Sequence, residues 1–222
     1  MPGIFITFEG TEGSGKSTQI ELLAADLRAR GRPVRTLREP GGTPIGEEIR
    51  HTLKHSPHNG AMSPAAELLL LNASRAQLVR EIIRPALAAG DVVLCDRFYD
   101  SSIVYQGYGR GLDLAAVRAV IDFAVDGTRP DLTLLLAIPL AVSEARRAQR
   151  VTTPGLRRDR FEEADRGFFR RVETGYQAAA AADPQRIRVI DATGDVESVR
   201  VAVWKQVAPL LASPASQSEN RR

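Results

Sequence analysis

A single cysteine, Cys95, stands in the whole chain, so no internal disulfide and no cysteine-rich metal cage can form. Its place within Val92-Val-Leu-Cys-Asp96 reads as a small buried apolar residue. The three histidines, His51, His55 and His58, have no cysteine or carboxylate cluster beside them, which argues for solvated helix-end and loop side chains rather than zinc ligands. Excess charge is also scarce. Thirty basic residues against 27 acidic ones leave +3, too little to argue for a nucleic-acid surface. No stretch approaches the roughly 18 apolar residues of a membrane span. The first residues enter a strand pattern without a basic leader or a cleavage site, and with the lone cysteine this gives a cytoplasmic expectation. No internal repeat is visible, and 222 residues suit one large α/β domain or, less economically, two small ones.

What is present centres on Gly3-Ile-Phe-Ile-Thr-Phe-Glu-Gly10-Thr-Glu-Gly-Ser-Gly15-Lys16-Ser17-Thr18. An apolar run short enough for a buried strand feeds a glycine-rich turn, and Lys16 opens a helical pattern. Gly10, Gly15, Lys16 and Ser17 fit G-x-x-x-x-G-K-[ST], the phosphate-cradling P-loop. Glycines let successive backbone N–H groups point into one concavity, where the helix N-terminus adds positive partial charge. Lys16 can then reach the β- and γ-phosphates, and Ser17 offers a hydroxyl to Mg²⁺. An ordinary glycine-rich strand–helix turn is the plain alternative. The strand before and the helix after decide for nucleoside triphosphate binding.

The first helix ends near Gly31, Val34 to Leu37 forms a second strand, and Arg38 to Pro44 is a turn-rich loop before a helix from about Ile45 to Lys54. A long helix is expected from Pro64 to about Ala89. Leu68, Leu71, Arg75, Leu78 and Ile82 share one face of it. A guanidinium within an apolar stripe must be functional or held in a buried ion pair with another element. Val92 to Cys95 is a third strand, with Asp96 and Arg97 at its carboxyl end, where open parallel sheets place ligands. Asp113 caps a helix carrying Val117, Val120, Ile121, Ala124 and Val125, and Leu132 to Ile138 is a strand covered on both faces. After a helix to about Arg150, Val151 to Asp159 contains Pro154-Gly155 among Arg146, Arg147, Arg150, Arg157, Arg158 and Arg160. Such a run is ordinarily a solvated basic face, but the break in its middle suggests a flap able to close on phosphate. Phe161 to Ala182 reads as helix, Ile187 to Ile190 as a fifth strand and Val196 to Leu211 as a last helix.

Alternating strands and helices predict one doubly covered parallel sheet. The expectation is a P-loop kinase core of five strands spanning residues 1–212, with a basic lid at about 146–160 and a disordered tail over 213–222. A short chain with a closing basic segment favours a small-molecule kinase over a motor. A guanine-nucleotide switch would need an N-K-x-D motif, which Asp131 and its neighbours do not supply.

Five motifs in order then resemble the bacterial thymidylate kinase family over about Ile4 to Leu211: Phe8-Glu-Gly-Thr-Glu-Gly-Ser-Gly-Lys-Ser-Thr18, Arg38-Glu-Pro-Gly-Gly-Thr-Pro-Ile-Gly-Glu47, Ala73-Ser-Arg-Ala-Gln77, Asp96-Arg-Phe-Tyr-Asp-Ser-Ser102 with Tyr105-Gln-Gly107, and Asp159-Arg-Phe-Glu162. The resemblance implies phosphoryl transfer from ATP to dTMP, with Mg²⁺, in a homodimer that binds neither nucleic acid nor membrane. It assigns Gly10, Thr11, Glu12, Gly13, Ser14, Gly15, Lys16, Ser17, Thr18 and Arg146 to ATP, and Ser17 and Asp96 to the metal. Glu12 takes the sugar 3′-hydroxyl, Arg97 and Arg50 the dTMP phosphate, and Arg75, Ser102 and Gln106 the thymine edge. Tyr105 packs near the sugar C2′, and Glu39 and Leu71 complete the acceptor site. Lys16, Arg97 and Glu12 are the catalytic core. Some members carry a catalytic arginine inside the P-loop, but Thr11-Glu12-Gly13-Ser14 has none, so the charge is expected from Arg150, Arg157 or Arg158, unranked. Two positions depart from the family pattern. Leu71 stands where phenylalanine usually stacks on thymine, and Ala137 stands where the fourth strand usually ends in an acid.

Overall fold

The computed structural model describes residues 3–151 and 165–212. Its centre is a five-stranded parallel sheet of order β2-β3-β1-β4-β5, built from β1 (Ile4–Glu9), β2 (Val34–Arg38), β3 (Val92–Asp96), β4 (Leu132–Ala137) and β5 (Ile187–Asp191). β1 lies between β3 and β4, in register Phe5 with Val93 and Phe8 with Leu134. All six β1 residues are buried, as a strand covered on both faces must be. Alternate residues supply the two cores. Ile4, Ile6 and Phe8 face α1 (Lys16–Ala29) and α9 (Val196–Ala212) through Leu23, Leu27, Val203 and Val207. Phe5, Val93 and Cys95 face the opposite layer, α3 (Pro64–Leu78) and α6 (Leu114–Val125), through Leu68, Leu78, Val117 and Ile121. A third cluster joins Leu135 and Ile187 to α8 (Arg166–Ala182) through Phe168, Phe169, Val172 and Tyr176.

Helix starts follow local chemistry. Thr43 caps α2 (Pro44–His55) by accepting from Gly46 N–H, and Ser63 caps α3 by accepting from Ala66 N–H, each followed by proline in the first turn. Asp113 caps α6 as expected from its sequence. Asp165 likewise accepts from Phe168 N–H and holds an extended backbone, so α8 begins at Arg166; the expected helical start at Phe161 lies outside the described residues. The long helix expected to Ala89 changes character after Leu78. It widens into a π-helical turn, Val79–Ile83, before the short α4 (Arg84–Ala88). Pro85 explains the break, because it has no N–H to donate to the Glu81 carbonyl and its ring crowds that oxygen.

After β3 the chain forms α5 (Tyr99–Ser102) and runs on into a second π-helical stretch, Ile103–Gly109, an element the sequence pattern did not announce. The basic helix α7 (Leu140–Val151) follows β4. The expected lid apex and the tail over 213–222 lie outside the described residues. Among the described residues no helix is long and apolar enough to cross a membrane.

Phe5 is fully buried and meets the Phe98 ring edge-on at 5.0 Å, joining the sheet to the start of α5. Phe5→Ala is expected to destabilise the chain by about 3–5 kcal/mol in urea unfolding, with cavity formation adding to lost transfer energy. A loss under about 1 kcal/mol would show that this contact does not hold the two layers together.

Candidate active site

Gly10, Gly13 and Gly15 all adopt positive φ, which turns the P-loop backbone around one concavity. At Gly10 a β-carbon would also lie 2.4 Å from the Leu136 carbonyl oxygen, so close approach to β4 demands glycine as well. Lys16 is buried in this loop and donates to the carbonyls of Gly10 and Thr11, both at 3.1 Å. Burial lowers its ammonium to a pKa of about 8, with Arg97 adding to the effect against the pull of Asp96 and Glu12. Ser17 and Thr18 remain exposed at the helix start. Arg146, from α7, donates to the Gly13 carbonyl at 2.9 Å, and Ser143 Oγ donates to the Glu12 carbonyl. The P-loop is thereby braced from the base of the expected lid.

Ser17 Oγ donates to Asp96 Oδ2 at 3.1 Å, which sets a hydroxyl and a carboxylate side by side beside the loop. Both are hard oxygen donors. They fit Mg²⁺, which usually takes one or two protein oxygens and fills its octahedron from phosphates and water. Among the described residues no group of three His, Cys, Asp or Glu side chains could hold a metal by itself.

The carboxyl ends of β1 and β3 carry a buried charge network. Arg97 has φ 69°, a left-handed backbone that turns its side chain back across the cleft. Its Nη2 donates to Glu12 Oε1 at 2.6 Å, and its Nη1 donates to Ser101 Oγ and Tyr176 Oη, both at 3.1 Å. Tyr105 Oη donates to Glu12 Oε2 at 3.1 Å. Burial alone would raise the Glu12 carboxyl, but Arg97 and Lys16 outweigh it and hold it below the usual range. Beneath lies Glu9. It accepts from Phe98 N–H, Ser101 N–H, Ser101 Oγ and Tyr176 Oη at 2.6–3.2 Å, and burial raises its pKa despite Arg97. Tyr176 belongs to no motif, and Ser101 lies within the Asp96–Ser102 motif without having been given a role there. Glu9 did leave a signal, as a charged residue closing a continuous apolar strand immediately before the P-loop.

Next to this network lies a half-open pocket at the carboxyl ends of the strands. It is lined by Glu12, Glu39, Leu71, Arg75, Arg97, Ser102, Tyr105 and Gln106, which the sequence had grouped, and by Pro40, Lys54, Phe98 and Ser101, which it had not. Arg50 is not among the lining residues; its Nη1 donates to the Pro40 carbonyl at 2.8 Å, one residue behind the wall. The side chain of Arg150, and Arg157 and Arg158 altogether, lie outside the described residues.

Arg75 turns out to be both paired and part of the wall. Nε and Nη2 donate to Glu39 Oε2, Nη1 to Asn72 Oδ1 and Ser102 Oγ, and Nη2 also to the Phe98 carbonyl, all at 2.7–3.2 Å. Every guanidinium N–H therefore has an acceptor, and contact with a ligand requires one of them to be shared or exchanged. Burial pushes the Glu39 carboxyl up to about 7, against the opposing pull of Arg75. Its Oε1, like Gln106 Oε1, is buried without a partner.

The lowered Lys16 pKa sets a pH dependence. The cation holds a triphosphate more tightly than the neutral amine, so ATP affinity is full below about pH 8 and falls as pH rises through that value. Calorimetric titration with ATP between pH 7 and 9.5 should show affinity dropping toward tenfold per pH unit at the upper end. A flat profile to pH 9.5 would mean that Lys16 keeps its proton without the nucleotide's help.

The sequence profile described as thymidylate kinase matches residues 8–203. Among similar proteins, the thymidylate kinase of Geotalea uraniireducens is 48% identical over 211 residues, covering 95% of this chain and 99% of that protein. That of Pseudomonas savastanoi pv. phaseolicola is also 48% identical, covering 95% and 98%. The crystal structure of thymidylate kinase from Ehrlichia chaffeensis superposes with a TM-score of 0.73 at 32% identity, covering 93% of this chain and 99% of the other. With a matched profile across most of its length and relatives of nearly half-identical sequence, the chain belongs to the thymidylate kinase family.

Proposed function

We propose that this enzyme transfers the γ-phosphoryl group of ATP to the phosphate of dTMP, giving ADP and dTDP. The observation that carries the proposal is the meeting of a P-loop and a half-open pocket across one ion pair, Glu12 with Arg97. ATP phosphates lie along the P-loop N–H groups and Lys16. The acceptor occupies the cavity, with its phosphate toward Arg97 and, through a shift of its side chain, Arg50. Glu12 takes the sugar 3′-hydroxyl, and Tyr105 closes the space beside C2′. Arg75, Ser102 and Gln106 face the base, while Leu71 supplies an apolar cover where an aromatic ring would add about 0.5–1.5 kcal/mol. Mg²⁺ held by Ser17 and Asp96 would neutralise charge on the bound phosphates.

The acceptor phosphate, with a second pKa near 6, is already largely ionised at neutral pH, so no strong base is needed. The protein's work is alignment and charge cancellation. Arg97 stands where it can hold the attacking phosphate in line with the P-loop. The P-loop's own variable residues carry no arginine, which leaves the transferring group to a lid arginine, Arg150, Arg157 or Arg158. A homodimer belongs to the same proposal. It is supported by the exposed Phe123 on α6 (88% exposed) and Leu69 on the adjoining α3. So does cytoplasmic residence, with which the buried, unpaired Cys95 agrees.

A coupled ADP assay with ATP, Mg²⁺ and a panel of dTMP, dUMP, CMP and AMP tests the substrate, and dTMP should give the highest kcat/KM. Release of ADP indifferent to added dTMP would refute the assignment. In the same assay, changing Arg150, Arg157 and Arg158 singly to Ala should reveal one variant whose kcat falls roughly 10³-fold with little change in dTMP affinity. Wild-type rates in all three would remove the lid arginines from the mechanism.

A further inference from the structure

Glu67 lies outside the family motifs, does not line the cavity and is fully buried in the first turn of α3. Arg110 forks onto it, Nε to Oε1 at 3.2 Å and Nη2 to Oε2 at 3.0 Å, and Arg110 in turn stacks over the Phe168 ring. Glu67 Oε1 also accepts from Gln106 Nε2 at 2.8 Å. Gln106 is 1% exposed and lines the cavity, and its Oε1 has no partner.

We infer that Glu67 sets the base specificity of the acceptor site by fixing which way the Gln106 amide points. A side-chain amide is a donor at one end and an acceptor at the other, and rotation by half a turn exchanges them. A carboxylate held by a guanidinium fork can only accept. Gln106 must therefore turn its NH₂ to Glu67, which leaves its carbonyl oxygen as the end with no partner in the protein. A buried acceptor without a donor favours a ligand that brings an N–H. Thymine offers one at N3, whereas cytosine presents a bare acceptor there and would meet oxygen with nitrogen lone pair. Glu67 is thus a positioning residue for discrimination between the two pyrimidines, an inference that rests on the base placement proposed above.

Arg110 is needed for the same reason. Without it Glu67 would be a buried charge with too little compensation, and the carboxylate would lose the fork that holds it against Gln106. The π-helical stretch Ile103–Gly109 fixes the other partner, since the Gln106 carbonyl accepts from Leu112 N–H at 3.1 Å and anchors the backbone from which the amide projects.

The test compares kcat/KM for dTMP and dCMP in wild type, Glu67→Gln, Gln106→Leu and the double variant, with KM for ATP as a control on the distant P-loop. Glu67→Gln can itself donate, so Gln106 is free to turn. The dTMP:dCMP ratio should fall about tenfold or more, through a loss for dTMP and a gain for dCMP, with KM for ATP unchanged. Gln106→Leu should lose the ratio too, and the double variant should lose no more than Gln106→Leu alone. A wild-type ratio in Glu67→Gln alongside a lost ratio in Gln106→Leu overturns the role of Glu67 and leaves the base placement standing. A wild-type ratio in Gln106→Leu overturns the base placement itself. Additive losses in the double variant overturn the inference by showing that Glu67 acts through another group. Should Glu67→Gln fail to fold with Arg110 stranded, Glu67→Gln with Arg110→Met removes both charges together and is read by the same criteria.

Discussion

Charge withdrawn from water at the carboxyl ends of β1 and β3 is the constraint on which the rest of the site depends. Glu9, Glu12, Lys16 and Arg97 meet there, and none is tolerable alone in such surroundings. Their mutual satisfaction dictates local structure. Glu9 fixes the start of α5 by accepting from Phe98 and Ser101 N–H, and it draws Tyr176 of α8 into the same network. Arg97 accepts a left-handed backbone in order to reach Glu12 and Tyr176. Two strand ends, a loop and two helices are therefore tied by polar contacts at the point where a parallel sheet of this order offers its ligand crevice.

A fully buried guanidinium organises the adjoining cavity. Arg75 joins α3 to the loop after β2 through Glu39 and to α5 through Ser102 and the Phe98 carbonyl. With its donors occupied it is as much a keystone of the wall as a reader of ligands. The wall around it consequently leaves two buried oxygens without a partner, Gln106 Oε1 and the outer oxygen of the Glu39 carboxyl.

Much of this was legible in the chain itself because it is encoded locally. The P-loop glycines, the continuous apolar strands and the caps at Asp113 and before Pro44 and Pro64 each state their role within a few residues. Arg75 was conspicuous as a guanidinium within an apolar stripe, and the structure shows it both paired with Glu39 and placed in the pocket wall. What stayed hidden depends on distant partners. Tyr176 meets Glu9 across 167 positions and Glu67 meets Gln106 across 39, and neither spacing has a periodicity to detect. The π-helical stretch after α5 was hidden for a related reason, because its aromatic and polar residues are arranged around tertiary contacts with α8 rather than along one face. Leu71 keeps its expected place in the cavity wall, and Ala137 ends β4 in register with Asp191 of β5, so a carboxylate does stand beside the position where the family usually has its own.

The bond between Glu12 and Arg97 has a kinetic meaning for an enzyme that must release what it makes. On the proposed acceptor placement, an entering monophosphate would compete with a carboxylate already 2.6 Å from the guanidinium, so capture would exchange one ionic contact for another instead of adding one. That exchange would keep ground-state affinity modest. On the same placement Glu12 would reclaim the arginine as the product leaves, so the group that displaces it is carried within the P-loop itself.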